Sequence, residues 1–329
     1  MLPVEDATLH SENIMREGVA DATSTGENSH NIYEADFDLR DPRNHPVESI
    51  YGVGKRYSER LRDVGIYTIG DVAKIRDIEE FEDLLGIPGK TLSKIRLRAL
   101  SYVSGEVIQI SAFEFPGDRL IYMDIETDDR CRRVWLIGLL VDGRFTQFYA
   151  DSWDGEKDIL ERFLNFLDNH RGYTLVTYSG TGFDTRVTLG AARRLGLDPT
   201  TLLDYPHVDL CSLLRRCFIF PHSSYALKEL GSHLAYGFRQ TELDGLRVAQ
   251  AYQRHVESGL PLQDGVLEYN EDDVRVVHHL VNRCFQLGKH KWDRHLGHLH
   301  IESGQAMIRT RLDPWLIDNN TPARAAYTP

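Results

Sequence analysis

The sequence predicts an α/β protein with a mixed central sheet flanked by helices, preceded by a small all-α segment. Between residues 47 and 104, apolar residues recur at helical spacing and glycines separate the periodic runs. From residue 119, three short runs rich in strand-forming residues follow one another, and apolar strands then alternate with helical patterns. Consecutive strands, followed by strands that alternate with helices, are typical of an α/β domain whose sheet is mixed.

Charge is distributed unevenly along the chain. The 329 residues include 38 Lys and Arg against 50 Asp and Glu, and this net charge of −12 argues against a generic polyanion binder. Residues 1–46 hold ten acids and three bases, which predicts a mobile acidic tail, whereas residues 47–104 are close to neutral. The uneven charge and the change from a helical to a strand pattern predict four parts. These are an acidic tail (1–46), the all-α segment (47–104), the α/β domain (105–288) and a C-terminal extension (289–329).

Several classes of protein are excluded by what the sequence lacks. The longest apolar run, VWLIGLLV at 134–141, is too short to span a bilayer, and the N-terminus has no signal-peptide pattern. The four cysteines form no C-x-x-C pair, so we expect reduced thiols rather than a disulfide or a zinc site. Neither a phosphate-binding G-x-x-x-x-G-K-[ST] loop nor a G-x-S-x-G elbow is present. The sequence therefore predicts a soluble protein, which we assign to the cytoplasm, with no membrane partner.

The all-α segment repeats one plan, a glycine turn followed by a helix. Gly-Val-Gly occurs within IYGVGKRYSERLRDVGIYTIGDVA at 50–73, and Gly-Ile-Pro-Gly occurs within LLGIPGKTLSKIRLRAL at 84–100. Glycines allow close approach and leave amide N–H groups at a helix N-terminus available to a phosphate. The residues expected to contact a nucleic-acid backbone are Gly52, Gly54, Lys55, Gly86, Gly89, Lys90 and Lys94.

This repeated plan resembles a tandem helix-hairpin-helix domain, a family that binds the nucleic-acid backbone without reading its sequence. The resemblance covers about sixty residues. Pro88 stands where the simpler pattern has its second glycine, which removes one amide donor from the second hairpin. A small helical module that docks another protein remains the alternative.

The α/β part has a predicted order of elements. RLIYMDIET, RRVWLIGLLV and GRFTQFYAD suit consecutive strands joined by hairpin turns. Apolar periodicity then predicts the remaining elements. These are a helix over 156–169, a strand over 173–179, a helix from about 183, a short strand around 207–210 and helical segments to about 288.

Three acidic segments carry the chemistry. Asp124 and Glu126 occupy positions i and i+2 of a strand, so both carboxylates point to the same face of an otherwise apolar strand. Asp184 follows an apolar strand and begins a helix. Tyr269 and Asp273 are four residues apart on one helix face. Carboxylates in such surroundings must be paired or metal-bound.

This ordered set looks like the DEDD exonucleases with the tyrosine variant of the third motif. The chain is also similar to the proofreading domains of family B DNA polymerases and, more closely, to YprB-type ribonuclease H-like domains. In the latter, HVDLCSLLRRC at 207–217, SYALKELGSHL at 224–234 and the YNEDDV helix recur in the same order. The resemblance covers most of 118–285, and it implies a metal-dependent 3′-to-5′ exonuclease that acts on DNA or RNA.

The resemblance also implies a role for each matching residue. Four carboxylates would bind two divalent cations, Mg²⁺ or Mn²⁺, which suit hard oxygen ligands. The Tyr269 phenol would orient the attacking water. The implied metal ligands are Asp124, Glu126, Asp184 and Asp273, and the candidates for substrate contact are Thr127, Ser179 and Phe183. Ser179 departs from the family pattern, because many relatives have Asn there.

Other interpretations stay open at this point. One is a non-catalytic nucleic-acid-binding or scaffold protein with a vestigial site, and another is an endonuclease on the same fold. The choice between DNA and RNA is also open. Among further acids, Asp209 is a minor candidate for a supporting role beside the site, and we expect Asp272 to be solvated. The His-rich end of the chain is interpreted as surface histidines rather than a metal site, and it comprises His278, His279, His290, His295, His298 and His300.

Overall fold

The computed structural model describes residues 40–180, 182–287, 298–303 and 306–311. Most of the predicted acidic tail and much of the predicted C-terminal extension therefore lie outside the described residues. The described residues all belong to one compact unit, Leu39–Pro329. Within them, no helix combines the length and the apolar character needed to cross a lipid bilayer.

The N-terminal part of the described chain is helical, as the apolar spacing predicts. Its core is made of aliphatic side chains such as Leu61, Ile69 and Leu92, which are fully buried. Two short 3₁₀ turns, Pro42–Asn44 and Val47–Ser49, precede the first glycine turn. The helices are α1 (Lys55–Asp63), α2 (Ile69–Ala73), α3 (Ile78–Leu85) and α4 (Gly89–Ser104).

Two arginines hold the glycine turns against the helices. Arg98 of α4 donates from Nη1 to the Tyr51 carbonyl at 2.8 Å and stacks on the Tyr51 ring. Arg60 of α1 donates from Nη1 to the Gly86 carbonyl at 2.5 Å. Gly52, with φ of +83°, adopts the left-handed conformation that favours glycine. Each turn is therefore fixed by a guanidinium from the other half of the segment.

The main sheet of the α/β part has three consecutive antiparallel strands, followed in the chain by two parallel ones. The first strand in the chain, β1 (Ile108–Gln109), lies apart from this sheet and pairs with a later one. Strands β2–β3–β4 form the consecutive hairpins that the sequence predicts. The elements in chain order are β2 (Leu120–Thr127), β3 (Val134–Val141), β4 (Arg144–Tyr149), α5 (Glu156–Asn169), β5 (Thr174–Thr177), α6 (Asp184–Arg194), α7 (Thr200–Leu203), β6 (His207–Asp209), α8 (Leu210–Cys217), β7 (Phe218–Ile219), α9 (Leu227–His233), α10 (Gly245–Ser258), α11 (Val266–Leu287), β8 (His298–Ser303) and β9 (Ala306–Arg311).

The sheet is mixed and has the order β4-β3-β2-β5-β6. Strand β2 is central, antiparallel to β3 and parallel to β5, which in turn runs parallel to β6. Ile121, Met123 and Ile125 of β2 join the core that includes α5, whereas Tyr122 joins the core that includes α8 and α11. This alternation places Asp124 and Glu126 on the same side of the strand as Tyr122. The predicted fold class, a mixed sheet flanked by helices, is confirmed.

The interpretation of Asp272 as a solvated residue was wrong. Its side chain is 1% exposed, and its carboxylate accepts hydrogen bonds from the backbone N–H groups of Arg239 at 2.7 Å and Gln240 at 3.0 Å. The Arg239 guanidinium also donates to it, at 2.8 Å. Asp272 therefore fastens the segment that follows α9 to the helix that bears Tyr269.

Two of the histidines interpreted as surface residues also have structural contacts. His279 lies in α11 and its Nε2 is 2.8 Å from the Leu234 carbonyl oxygen. The ring of His278 packs edge-on against Tyr122. His290 and His295 lie outside the described residues, and His298 and His300 belong to the strand β8.

Candidate active site

The first pair of carboxylates lies on the central strand. Asp124 and Glu126 project from β2, and Asp124 pairs across the sheet with Gly138 of β3. Glu126 is buried, with 7% exposure, whereas Asp124 retains partial exposure. The register shifts between Glu126 and Thr127, where an irregularity ends the regular pairing of the strand. Both acids thus lie on one face of β2, close to its C-terminal end.

The third carboxylate, Asp184, is placed by the turn after β5. Ser179 has a φ of +61°, in the left-handed region. A Cβ on Gly180 would overlap the Asp184 carboxylate and the Thr177 hydroxyl, so only glycine permits this close approach. Asp184 itself begins α6 and is 5% exposed.

Asp209 stabilises this turn from the neighbouring strand. Its Oδ1 accepts hydrogen bonds from the Ser179 N–H at 3.0 Å and from the Ser212 N–H at 3.2 Å, the latter as the N-cap of α8. Its negative charge also raises the pKa of Asp184, after the larger effect of burial. Asp209 therefore holds the Ser179 turn that precedes Asp184.

Tyr269 and Asp273 come from α11, which packs against β2 and β3. Tyr269 is 8% exposed, and Asp273 lies four residues further along the helix, where its charge raises the pKa of the phenol after the larger effect of burial. Asp273 retains partial exposure, as Asp124 does. The helix and the strands thus bring together all five predicted catalytic residues, although 149 positions separate Asp124 from Asp273 in the chain.

Burial raises the pKa of every carboxyl group in this set, and neighbouring acids add to the effect. Burial is the largest cause for Asp124 and Glu126, whose pKa values lie well above the ordinary range, and the charges of Asp184 and Asp273 add to it. Burial raises the pKa of Asp184 to about 7 and that of Asp273 to about 6. Acids of this kind at one site are characteristic of functional positions.

Two further residues, Lys228 and Asn270, influence the acids, although the sequence alone assigned them no role. Lys228 of α9 lies with Nζ 4.6 Å from the centre of the Tyr269 ring, and its charge favours the ionised forms of Glu126 and Asp273. Asn270 is fully buried and donates from Nδ2 to Asp124 Oδ2 at 2.9 Å. The only signal for either was its place within a segment already noted for its resemblance, SYALKELGSHL for Lys228 and YNEDDV for Asn270.

The donor set suits a hard divalent cation. Four carboxylates whose pKa values are raised by burial and by neighbouring acids, with one lysine nearby, form an oxygen-rich site. As the side chains stand in residues 40–180 and 182–287, no three His, Cys, Asp or Glu residues are gathered closely enough to form a metal cluster. The residue types fit a divalent cation. Their side chains lie near one another but are not close enough together to form a complete set of metal ligands.

The three residues predicted to contact substrate border the acids. Thr127 follows Glu126; its hydroxyl donates to the Asp128 carbonyl, and its own carbonyl accepts from Trp135 Nε1 at 3.0 Å. Phe183 precedes Asp184 and packs partly buried against the core beneath α6. Thr127, Ser179 and Phe183 thus each lie within five residues of an acid in the chain.

The predicted backbone-binding residues lie on the helical segment. Gly54 is the N-cap of α1 and Lys55 is its first residue, with a solvent-exposed side chain 3.9 Å from Glu59. At the second turn, Pro88 is the N-cap of α4, and a Cβ on Gly89 would meet Glu82 Oε2 at 2.5 Å. A carboxylate against this helix N-terminus opposes an anion there, so this turn is less suited to an anion than the first.

Comparisons with known proteins bear on the fold. Residues 121–285 match the family model RNase_H_2, which describes the RNase_H superfamily. Among solved structures, the family B DNA polymerase from the hyperthermophilic archaeon Pyrobaculum calidifontis is similar, with 20% identity and a TM-score of 0.42. That match covers 53% of this chain and 25% of the polymerase chain, so this chain spans about a quarter of the polymerase's length. The comparison with curated proteins gave no match.

The conformation of Ser179 predicts how substitutions there affect stability. Asn tolerates a positive φ better than Ser, so Ser179→Asn is expected to raise the free energy of unfolding by ~0.5 kcal/mol, whereas β-branched Ser179→Val lowers it by ~1–2 kcal/mol. Urea unfolding measures both. Ser152→Asn is the control, because Ser152 has an extended φ of −155° and gains nothing from Asn. A destabilised Ser179→Asn protein contradicts the prediction.

The raised pKa of Asp184 predicts a pH dependence of stability without divalent cations. Its pKa is raised from 3.8 to about 7, so the folded protein binds the proton more tightly than the unfolded chain and stability falls as pH rises through this window. Each tenfold difference in proton affinity between the folded and unfolded protein corresponds to ~1.4 kcal/mol. Thermal unfolding in EDTA, compared between the wild type and Asp184→Asn, isolates this group from all others that titrate.

The variant is expected to gain stability relative to the wild type as pH rises from about 4 to about 7. Above this window, Mn²⁺ is expected to stabilise the wild type more than the variant. A difference between the two proteins that does not change with pH contradicts the assignment.

Proposed function

The chain belongs to the RNase H superfamily, and on that premise we propose that it is a metal-dependent 3′-to-5′ exonuclease that hydrolyses phosphodiester bonds of DNA or RNA. One fold hosts many functions, so the activity depends on the residues of the site. The observation that carries it is the set of four carboxylates around the end of β2, each of which has a raised pKa. A site that concentrates negative charge in this way has little structural use without cations.

Asp124, Glu126, Asp184 and Asp273 would hold two divalent cations, Mg²⁺ or Mn²⁺. When bound, such cations polarise a scissile phosphate and supply an activated water. The protein contributes the placement of its carboxylates. Asp124 and Asp273, which retain partial exposure, face incoming ligands, and Glu126 and Asp184 lie deeper.

Tyr269 would orient the attacking water. Burial and the nearby acids raise its pKa, so the phenol stays protonated at neutral pH and acts as a hydrogen-bonding group rather than as a base. The packing of Lys228 on its ring restricts its orientation. The tyrosine supports an exonuclease in particular, because an endonuclease on this fold would need the four acids without it.

The helical segment would hold the nucleic-acid backbone as a tandem helix-hairpin-helix clamp. Support comes from the two glycine turns fixed by Arg60 and Arg98, and from the exposed N-terminus of α1 beside Lys55. Glu82 against Gly89 makes the second turn the weaker contact. Binding by backbone contacts alone is independent of sequence and depends strongly on salt.

The direct test is digestion of 5′-end-labelled DNA and RNA, each single-stranded and duplex, with Mg²⁺ or Mn²⁺. We expect stepwise shortening from the 3′ end. Asp124→Asn is expected to lower the rate by more than ~100-fold, since even residues around a metal ligand are worth about 10–100-fold. Tyr269→Phe is expected to lower kcat at unchanged KM. Asp129→Asn, an exposed acid two residues beyond the strand, is the matched control.

The other outcomes separate the rivals. Cleavage of a circular substrate would identify an endonuclease. Absence of digestion together with absence of Mn²⁺ binding by calorimetry would identify a non-catalytic protein with a vestigial site.

The clamp has its own test in the inactive Asp124→Asn protein. Replacing Lys55, Lys90 and Lys94 with Gln is expected to weaken binding and to reduce the slope of log affinity against log salt by about 0.7–0.9 for each phosphate that the variant no longer neutralises. Fluorescence anisotropy over a range of salt concentrations measures both. Lys157→Gln on α5, whose lysine is exposed and near Glu161, is the control. Unchanged affinity and slope in the triple variant contradict the clamp.

A further inference from the structure

A chain of amide hydrogen bonds leads from the edge of the sheet to Asp124. Gln147, on the edge strand β4, donates from Nε2 to the Leu267 carbonyl at 2.9 Å and to Asn270 Oδ1 at 3.1 Å. Asn270 donates in turn from Nδ2 to Asp124 Oδ2 at 2.9 Å, with a longer contact of 3.4 Å to the Asp124 carbonyl. The chain crosses from β4 through α11 to β2.

The backbone carbonyls at each end fix the direction of both amides. A carbonyl oxygen only accepts, so the Leu267 carbonyl requires the NH₂ group of Gln147 on its side. The same NH₂ group then faces Asn270 Oδ1 and turns the NH₂ group of Asn270 toward Asp124. Without Gln147, the buried Asn270 amide loses the donor to its oxygen and the contact that sets its orientation.

Gly138 makes the space for this arrangement. It lies on β3 opposite Asp124, and a Cβ there would overlap the Asn270 side-chain oxygen and come within 3.0 Å of a Val274 methyl. The absence of a side chain lets α11 lie close over the strand, so Asn270 reaches β2. Three neighbouring strands and one helix therefore share the small volume around the Asn270 amide.

We propose that Gln147 is a positioning residue that acts through Asn270 to fix the Asp124 carboxylate, with Oδ2 held by the amide and Oδ1 left for a cation. The proposal rests on the proposed function, because it takes Asp124 as a cation ligand. Within the described residues, the hydrogen bonds of the Gln147 side chain go to Leu267 and Asn270 and to none of the four acids. Its effect on the site is therefore exerted through the orientation of Asn270.

The test replaces Gln147 with Leu, which keeps the size and removes both donors. In the full-length protein, Mn²⁺ titration by calorimetry is expected to show affinity about 10–100-fold weaker, the effect of losing a residue that orients a metal ligand. We expect kcat to fall, with KM for the nucleic acid unchanged. Thr146→Val, at the adjacent and exposed position of β4, is the control and is expected to leave both unchanged.

Two readouts separate positioning from a general loss of structure. The melting temperature of metal-free Gln147→Leu is expected to stay within a few degrees of the wild type. In nuclear magnetic resonance spectra of the metal-free protein, the Asn270 side-chain NH₂ protons are expected to exchange faster in Gln147→Leu. Adding Asn270→Ser to Gln147→Leu is expected to weaken Mn²⁺ binding no further than Asn270→Ser alone, because both act through one amide.

The outcomes also distinguish this proposal from the proposed function. A wild-type protein that neither binds Mn²⁺ nor digests nucleic acid overturns the proposed function. A wild-type protein that does both, together with a Gln147→Leu protein of unchanged Mn²⁺ affinity, overturns the positioning role alone.

Discussion

The burial of four carboxylates around the end of β2 is the constraint on which the rest of the site depends. Removing a carboxylate from water disfavours its charged form, and each further acid nearby adds repulsion. The pKa values of Asp184 and Asp273, raised chiefly by burial, reflect that cost. The protein offsets part of it with the Asn270 amide and with Lys228, which together favour the ionised forms. The other features of the site either position these carboxylates or reduce the repulsion between them.

Two glycines allow the acids to come together from distant parts of the chain. Gly138 lets α11 approach the sheet, and Gly180 lets the turn after β5 fold over the Asp184 carboxylate. Each is required by a close approach rather than by a positive φ, since neither adopts one. The geometry of the acids is consequently set by the packing of backbone against side chain, and even a methyl group at either position would displace a neighbour of the site.

Local pattern was enough to predict the three hairpin strands and the helix at 156–169, whereas the catalytic roles of the five residues of the acidic motifs stay a prediction. Local pattern could not predict contacts between residues that are far apart in the sequence. Gln147 reaches Asn270 over 123 positions, and no local periodicity marks such a pair. Asp272 was misjudged because its position around the helix axis was compared with a single buried face. Helix α11 is buried on more than one side, with Tyr236 and Arg239 packed where solvent was expected.

The charge balance of the site bears on the order of binding under the proposed function. Four acids face one lysine and one amide donor, so the site by itself repels a phosphate. Two divalent cations would add four positive charges and reverse the local sign. Backbone contacts at the helical segment, by contrast, need no cation. Nucleic acid can therefore be held there first, whereas entry of its 3′ end among the carboxylates must follow cation binding. The overall charge of −12, which argues against a generic polyanion binder, is thus compatible with one whose cleavage step is controlled by cations.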